Sequence, residues 1–565
     1  MLYARHLWLW FEPTLLIVLV LLIALRPAPL AAVGRWFVGG ALRLRRRPRM
    51  AMGALAALTL LGAATVMLLA GAPVPRVQDE FCHVLAADTF ARGRLANAPD
   101  AHWPHFESFH LLQQPTYASK YPPAQGWLLA SGAVVGQPAL ALVAGAALTA
   151  MVFLWALRAW LPLPWAFVGA VAVTLRWGVA SYWTHSYWGG LVPALGGALL
   201  WGGVKRALDP VDDAGEAGAL RPRVIDAALL ALGLILLANS RPFGGLVLSL
   251  PAAAWMGWRL LVVRRPAPRV ALGRIVVPVT LVLALGGAWM LRYNAAVTGD
   301  PWTLPQIAYE RQYAMIPLFR GQAERAIDYR HDVMRDFYQH LIDTYDPDQR
   351  VIAPGEAAQR LGALVDFLLG PALVLALLAA ARRGRDGEDR LGWTWLAVAV
   401  FIAGQLYVKS WWPHYAAPVA LPLILLATVG LRRIWRWRIG ARAGRPGRAL
   451  VAAALLLQLA QLGPQLHERL RERDFWSHTR HAIATELAAD GGRHLVFVRY
   501  GAAHHPAREW VYNGAALDEE IVLWARAMDP AADRALIAAK PDRRAWRVDV
   551  GVPGTDGPRL APYDP

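Results

Sequence analysis

Residues 43–81 read RLRRRPRMAMGALAALTLLGAATVMLLAGAPVPRVQDEF. Arg43, Arg45, Arg46, Arg47 and Arg49 stand ahead of an apolar run, 51–72, long enough to cross about 30 Å of hydrocarbon as a helix. Basic residues stay on the cytoplasmic side, so this span is expected to begin inside and end outside. Asp79 and Glu80 then fall at its outer mouth, where partial desolvation would raise their proton affinity.

The pattern repeats along the chain. Of its 565 residues 56% are hydrophobic and 17% charged, and the mean hydropathy is +0.33, far from the balance of a water-soluble domain. Apolar stretches at 138–160, 164–180, 189–204, 224–240, 243–263, 274–291, 361–381, 391–408, 415–431 and 449–464, with a retained anchor over 15–25, give roughly twelve spans. The basic loops 205–223, 264–274, 382–390 and 432–448 then all fall on the cytoplasmic side. The expected fold is therefore a polytopic α-helical membrane protein. Residues 1–50 form an anchor and basic segment, 51–464 a many-span body, and 465–565 an exported domain.

The net charge of +18 would suggest nucleic acid in a soluble protein, but these arginines cluster between spans as topology signals, which excludes that reading. The lone cysteine, Cys82, leaves no internal disulfide. Three segments exceed ordinary connection lengths, 72–137, 292–360 and 465–565, and this topology puts all three on the exported face. In the tail, apolar alternation predicts strands at 494–499, 521–525 and 545–550, with helices at 479–489 and 533–539, a small α/β domain without a nucleotide-binding loop.

Chemistry gathers in three places. Gln78-Asp79-Glu80-Phe81 opens the first long segment, and from spacing alone the pair reads equally as solvated loop charge or as a reactive pair. Tyr117-Ala118-Ser119-Lys120-Tyr121-Pro122-Pro123 lies later in the same segment, and Trp411-Trp412-Pro413-His414-Tyr415-Ala416-Ala417-Pro418 enters a late span. An acidic pair closing an early span, a Lys/Tyr-Pro-Pro element before the next and a His-Tyr-x-x-Pro entry near the end resemble the GT-C membrane glycosyltransferases. Within that group the pattern especially resembles the protein O-mannosyltransferases and the lipid A aminoarabinose transferase. A Tyr separates Lys120 from the prolines here, a departure from the Lys-Pro-Pro form.

The resemblance implies transfer of a sugar from a polyprenyl-phosphate donor to an acceptor (protein, lipid or polysaccharide) at the exported face of a bacterial inner membrane. Asp79 would be the base and Glu80 its orienting partner, with no cofactor. The departing phosphate is an anion that calls for cations, so Lys120, Arg241, Lys409 and His414, all next to span ends, are candidates, with Tyr121 and Tyr415 beside them. Headgroup anchoring is the competing explanation, especially for Lys409, while a positive-inside bias makes Arg241 in a short exported loop harder to dismiss.

Other motifs read more plainly. His102, His105 and His110 match no closed metal spacing and are expected to make ordinary hydrogen bonds. Asp346-Pro347-Asp348 reads as a turn, so no metal is expected. Trp177, Tyr182, Trp183, His185, Tyr187 and Trp188 read as an interfacial aromatic belt. A transporter or flippase is the rival function, but it needs ionisable residues at mid-membrane, and the sequence offers almost none. A receptor or scaffold would not need about a dozen spans.

Overall fold

The computed structural model describes residues 11–209, 222–263, 266–345, 351–381, 391–437, 446–471, 476–553 and 557–565. The Asp346-Pro347-Asp348 turn and much of the basic loops 205–223, 382–390 and 432–448 lie outside them. A helical bundle carries a mixed α/β cap at one end.

Six helices are long and apolar enough to span a membrane: Pro48–Ala70, Pro138–Leu157, Pro242–Val262, Pro268–Thr298, Pro413–Trp435 and Pro446–Arg471. Two further helix pairs bring the total to eight if each is one broken span, so the count of roughly twelve is not matched among the described residues. The reason is local geometry. The expected anchor, 15–25, lies within Phe11–Leu25, and the chain then turns by 111° into a second helix, Pro27–Arg43, at Pro27, which cannot donate to the preceding turn. The expected span 361–381 is bent by 100° between Pro354–Leu368 and Gly370–Ala381, with Gly370 at φ 68°. Val224–Ala238 and Gly392–Tyr407 are apolar but short. Leu191–Leu208 is buried along almost its whole length, so it faces protein rather than lipid.

The expectation of almost no interior charge is also corrected. Arg176 sits in a π-helical turn, Thr174–Gly178, whose Thr174 meets Thr59 midway along Pro48–Ala70 at 3.2 Å. Its guanidinium pairs with Glu12 and donates to the carbonyls of Phe367 and Asp366, which ties the N-terminal helix to the break at Gly370. Burying both charges together avoids the larger cost of burying either alone.

At the other end, the three long segments meet. The hairpin β1 (Leu111–Leu112) and β2 (Ala118–Ser119) belongs to the first. The tail forms one sheet from β3 (Arg493–Tyr500), β4 (Val522–Arg526), β5 (Arg543–Val550) and β6 (Arg559–Pro562), in the order β4-β3-β5-β6. The three expected strands are present and pair in parallel, with helices Trp476–Ala489 and Pro530–Ala539. Strand β6, antiparallel and edge-placed, was not legible in the alternation. The tail docks on the first long segment: Phe81 stacks on Tyr512 at 4.3 Å, Tyr117 donates to the Asn513 carbonyl at 3.0 Å, and His105 meets Asp533 at 3.1 Å. The middle segment joins through His331 Nε2, which is 2.9 Å from the Pro104 carbonyl.

Candidate active site

Helix Gln78–Ala91 begins immediately beyond the mouth of Pro48–Ala70, and its first turn carries Asp79 and Glu80, both buried. Carboxylates there complement the positive end of the helix. The two side chains then diverge. Asp79 Oδ2 accepts the Trp188 indole N–H at 2.7 Å, and Oδ1 lies 3.1 Å from His110 Nδ1. Glu80 accepts the Tyr187 backbone N–H at 3.1 Å and faces Arg76 at 3.9 Å. Glu80 therefore orders the turn that presents Trp188 to Asp79. Gly190 closes that turn at φ 150°, where a Cβ would fall 2.4 Å from the Trp183 ring.

His110 is held from every side. It is left-handed at φ 65°, a conformation that costs a residue with a Cβ about 1–2 kcal/mol. Its backbone N–H donates to Tyr309 Oη at 2.8 Å, and Tyr309 in turn receives the Tyr338 hydroxyl at 2.7 Å. Its carbonyl accepts the Lys120 N–H at 3.0 Å and the Cys82 thiol at 3.3 Å. Tyr121 Oη is 2.9 Å from the same His110 Nδ1.

These contacts fix the charges. Burial raises the Asp79 carboxyl, but hydrogen bonds from His110 and Tyr121 and the Lys120 charge outweigh it, so it stays well below the usual carboxylate range. The sequence expectation of raised proton affinity is thereby reversed for Asp79. Burial also pushes His110 down to about 4, so it is neutral. Since Asp79 is anionic, His110 Nδ1 must carry the proton, and the Tyr121 hydroxyl turns to the carboxylate.

Lys120 is buried with Nζ 4.7 Å from the centre of the Tyr309 ring and 4.0 Å from Glu310. Burial lowers the amine and raises Glu310, while the opposite charges of the pair, together with Asp79 beside the amine and Arg325 beside Glu310, work against both shifts. Arg241, ahead of helix Pro242–Gly257, stacks its guanidinium on Tyr415 at 4.3 Å. His414, next to Tyr415, packs on the Trp188 ring at 4.7 Å, and the Tyr182 hydroxyl is 3.2 Å from its Nδ1.

Asp79, Lys120, Tyr121, Arg241, His414 and Tyr415 thus meet at one end of the bundle. Lys409 is buried, with its backbone tied to Leu318 and Arg360 in the loop before the late span. The aromatic-belt reading is corrected: Trp177 and Trp183 are fully buried, Trp188 touches Asp79, and Tyr182 touches His414. Trp188, His110 and Glu310 were missed as site residues. A Trp facing lipid and a Trp facing a carboxylate look alike in composition, and no spacing rule joins Glu310 to Lys120. A cavity of about 390 Å³, lined by Asp209, Trp255, Arg259 and Trp393, lies at the far end of Leu191–Leu208 and holds none of these groups.

With the geometry in place, the chain can be compared with known proteins. No protein-family profile matches it, and no curated protein matches in sequence. Among solved structures it resembles ArnT from Cupriavidus metallidurans bound to undecaprenyl phosphate, with a TM-score of 0.50, 15% identity, and 87% of this chain and 92% of that one covered. The chain has the GT-C fold. The Archaeoglobus fulgidus oligosaccharyltransferase is also similar, with a TM-score of 0.47, 12% identity, and 89% of this chain and 69% of that one covered.

Proposed function

We propose that the protein is a glycosyltransferase of the exported membrane face, moving a sugar from a polyprenyl-phosphate donor to an acceptor hydroxyl by a single displacement. The observation that carries this reading is the meeting of an anionic Asp79 with Lys120 and Arg241 at the capped end of a GT-C fold. Asp79 takes the proton of the acceptor hydroxyl as its oxygen bonds to the anomeric carbon. The bond from that carbon to the phosphate oxygen breaks, and the polyprenyl phosphate leaves as an anion met by Lys120 and Arg241. Glu80 supports the turn that bears Trp188. Tyr121, His414 and Tyr415 line the same site, while Lys409 is buried in the loop before the late span and is assigned no contact with the donor. Likeness to the ArnT structure bound to undecaprenyl phosphate supports a lipid-phosphate donor.

The test uses purified protein in nanodiscs with a panel of undecaprenyl-phosphate pentoses and hexoses, and bacterial envelope extract as the acceptor source. Release of undecaprenyl phosphate that depends on both extract and enzyme is expected for at least one donor. Release from none of them, with undecaprenyl phosphate itself failing to bind, would refute the reading.

A further inference from the structure

We propose that His110 is the positioning residue of Asp79: its Nδ1–H fixes the rotation of the carboxylate so that the proton-accepting lone pair faces the acceptor. This rests on Asp79 being the base, and goes beyond it by assigning a second residue to the step.

His110 is the one non-glycine residue with positive φ among those described. Such a conformation persists only where its surroundings over-determine it, and here the backbone is pinned at its N–H by Tyr309 and at its carbonyl by Lys120 and Cys82. The ring is enclosed by Tyr121, Tyr309 and Phe337 at 5.6, 5.8 and 5.9 Å. A loop tied down this thoroughly delivers its imidazole to a single place, 3.1 Å from Asp79 Oδ1.

Many groups face Asp79, but few can orient it. His83 and Cys82 share its helix; Lys120 and Tyr121 come from the hairpin segment; His414 and Tyr415 come from the bundle, with Arg241 acting on His83, His414 and Tyr415 in turn. Lys120 supplies charge rather than direction, and the Tyr121 hydroxyl donates to the carboxylate from a C–O bond that can rotate. Trp188 fixes Oδ2. Only a rigid donor on Oδ1 completes the definition of the carboxylate plane, and His110 is that donor.

The test separates backbone from side chain. Asn and Gly both accept left-handed geometry, and the Asn amide can donate from close to the position of Nδ1–H, whereas Gly offers no donor. His110→Asn, His110→Gly and Asp79→Asn are compared by the pH profile of undecaprenyl-phosphate release from whichever panel donor the wild type consumes. His110→Gly is expected to lose about 10²-fold in kcat with KM within about threefold, and to shift the acid limb upward by roughly one pH unit. His110→Asn should stay within about tenfold of wild type with its limb near the original. If His110→Gly does not insert, His110→Asp, which suits the same backbone but sets an acceptor against Asp79, takes its place and should be inactive. Wild-type rate and limb in His110→Gly beside an inactive Asp79→Asn overturn the inference and leave the base intact. A His110→Asn enzyme no better than the glycine or aspartate variant also overturns it. Normal turnover by Asp79→Asn defeats the base assignment itself.

Discussion

Asp79→Asn is the substitution that most directly probes the site, and its two effects differ in size and in kind. The carboxylate accepts on both oxygens, from Trp188 at 2.7 Å and His110 at 3.1 Å, and an amide can satisfy only one of them. Whichever way the amide turns, its NH₂ faces an N–H donor unless His110 changes tautomer. Leaving one buried donor unpaired costs about 1–3 kcal/mol. Removing the base costs about 10²- to 10⁴-fold in rate, equivalent to about 2.7–5.4 kcal/mol of transition-state stabilisation. The variant should therefore insert and melt a few degrees low in a fluorescence-detected thermal scan, while release of undecaprenyl phosphate falls at least a hundredfold and undecaprenyl phosphate binding by calorimetry stays within about threefold. Turnover near wild type, with binding unchanged, would show that the carboxylate serves packing alone.

Lys120→Ala and Arg241→Ala should do the opposite, weakening undecaprenyl phosphate binding by about tenfold or more each, as the loss of a charge-assisted contact of about 1.5–3 kcal/mol requires; calorimetry on nanodiscs measures this. Stability of the cap should fall as pH drops from 6.5 toward 4, because burial holds His83 at about 3 and His110 at about 4 while the unfolded histidines take up protons near 6.5. Each contributes about 2 kcal/mol against the folded state at pH 5. Asp79 does not blur this window, since a depressed carboxyl keeps its full contribution above about pH 4 and loses it only as pH falls through its folded value; thermal scans from pH 4.5 to 8 read the difference. Arg526→Ala strands the buried Glu509, which it meets at 2.8 Å, and should cost the cap about 3–5 kcal/mol, visible as a drop in its melting midpoint.

Much of this was legible in the amino-acid order. The alternation at 494–499, 521–525 and 545–550 appears as strands because each contributes buried apolar residues to a single sheet, and Asp79 was marked by its place after a basic-flanked span. What escaped depends on direction rather than composition. An apolar window cannot register that the helices Val224–Ala238 and Gly392–Tyr407 are short, so the count of roughly twelve spans is not matched among the described residues. Arg176 was overlooked because its partner Glu12 lies 164 residues away, and pairing is what makes that charge tolerable in a bundle. Trp188 and His110 acquire meaning only when the turn and the hairpin place them on the two oxygens of Asp79.

The stacking of Phe81 on Tyr512, with the Tyr512 hydroxyl donating to the Phe109 carbonyl across 403 residues of sequence, has a temporal side. The segment bearing Asp79 and His110 is made early in synthesis, yet Phe81 beside Glu80 and Phe109 beside His110 gain these contacts only once the tail has been translated. A chain truncated before the tail therefore lacks both of these contacts beside the candidate site.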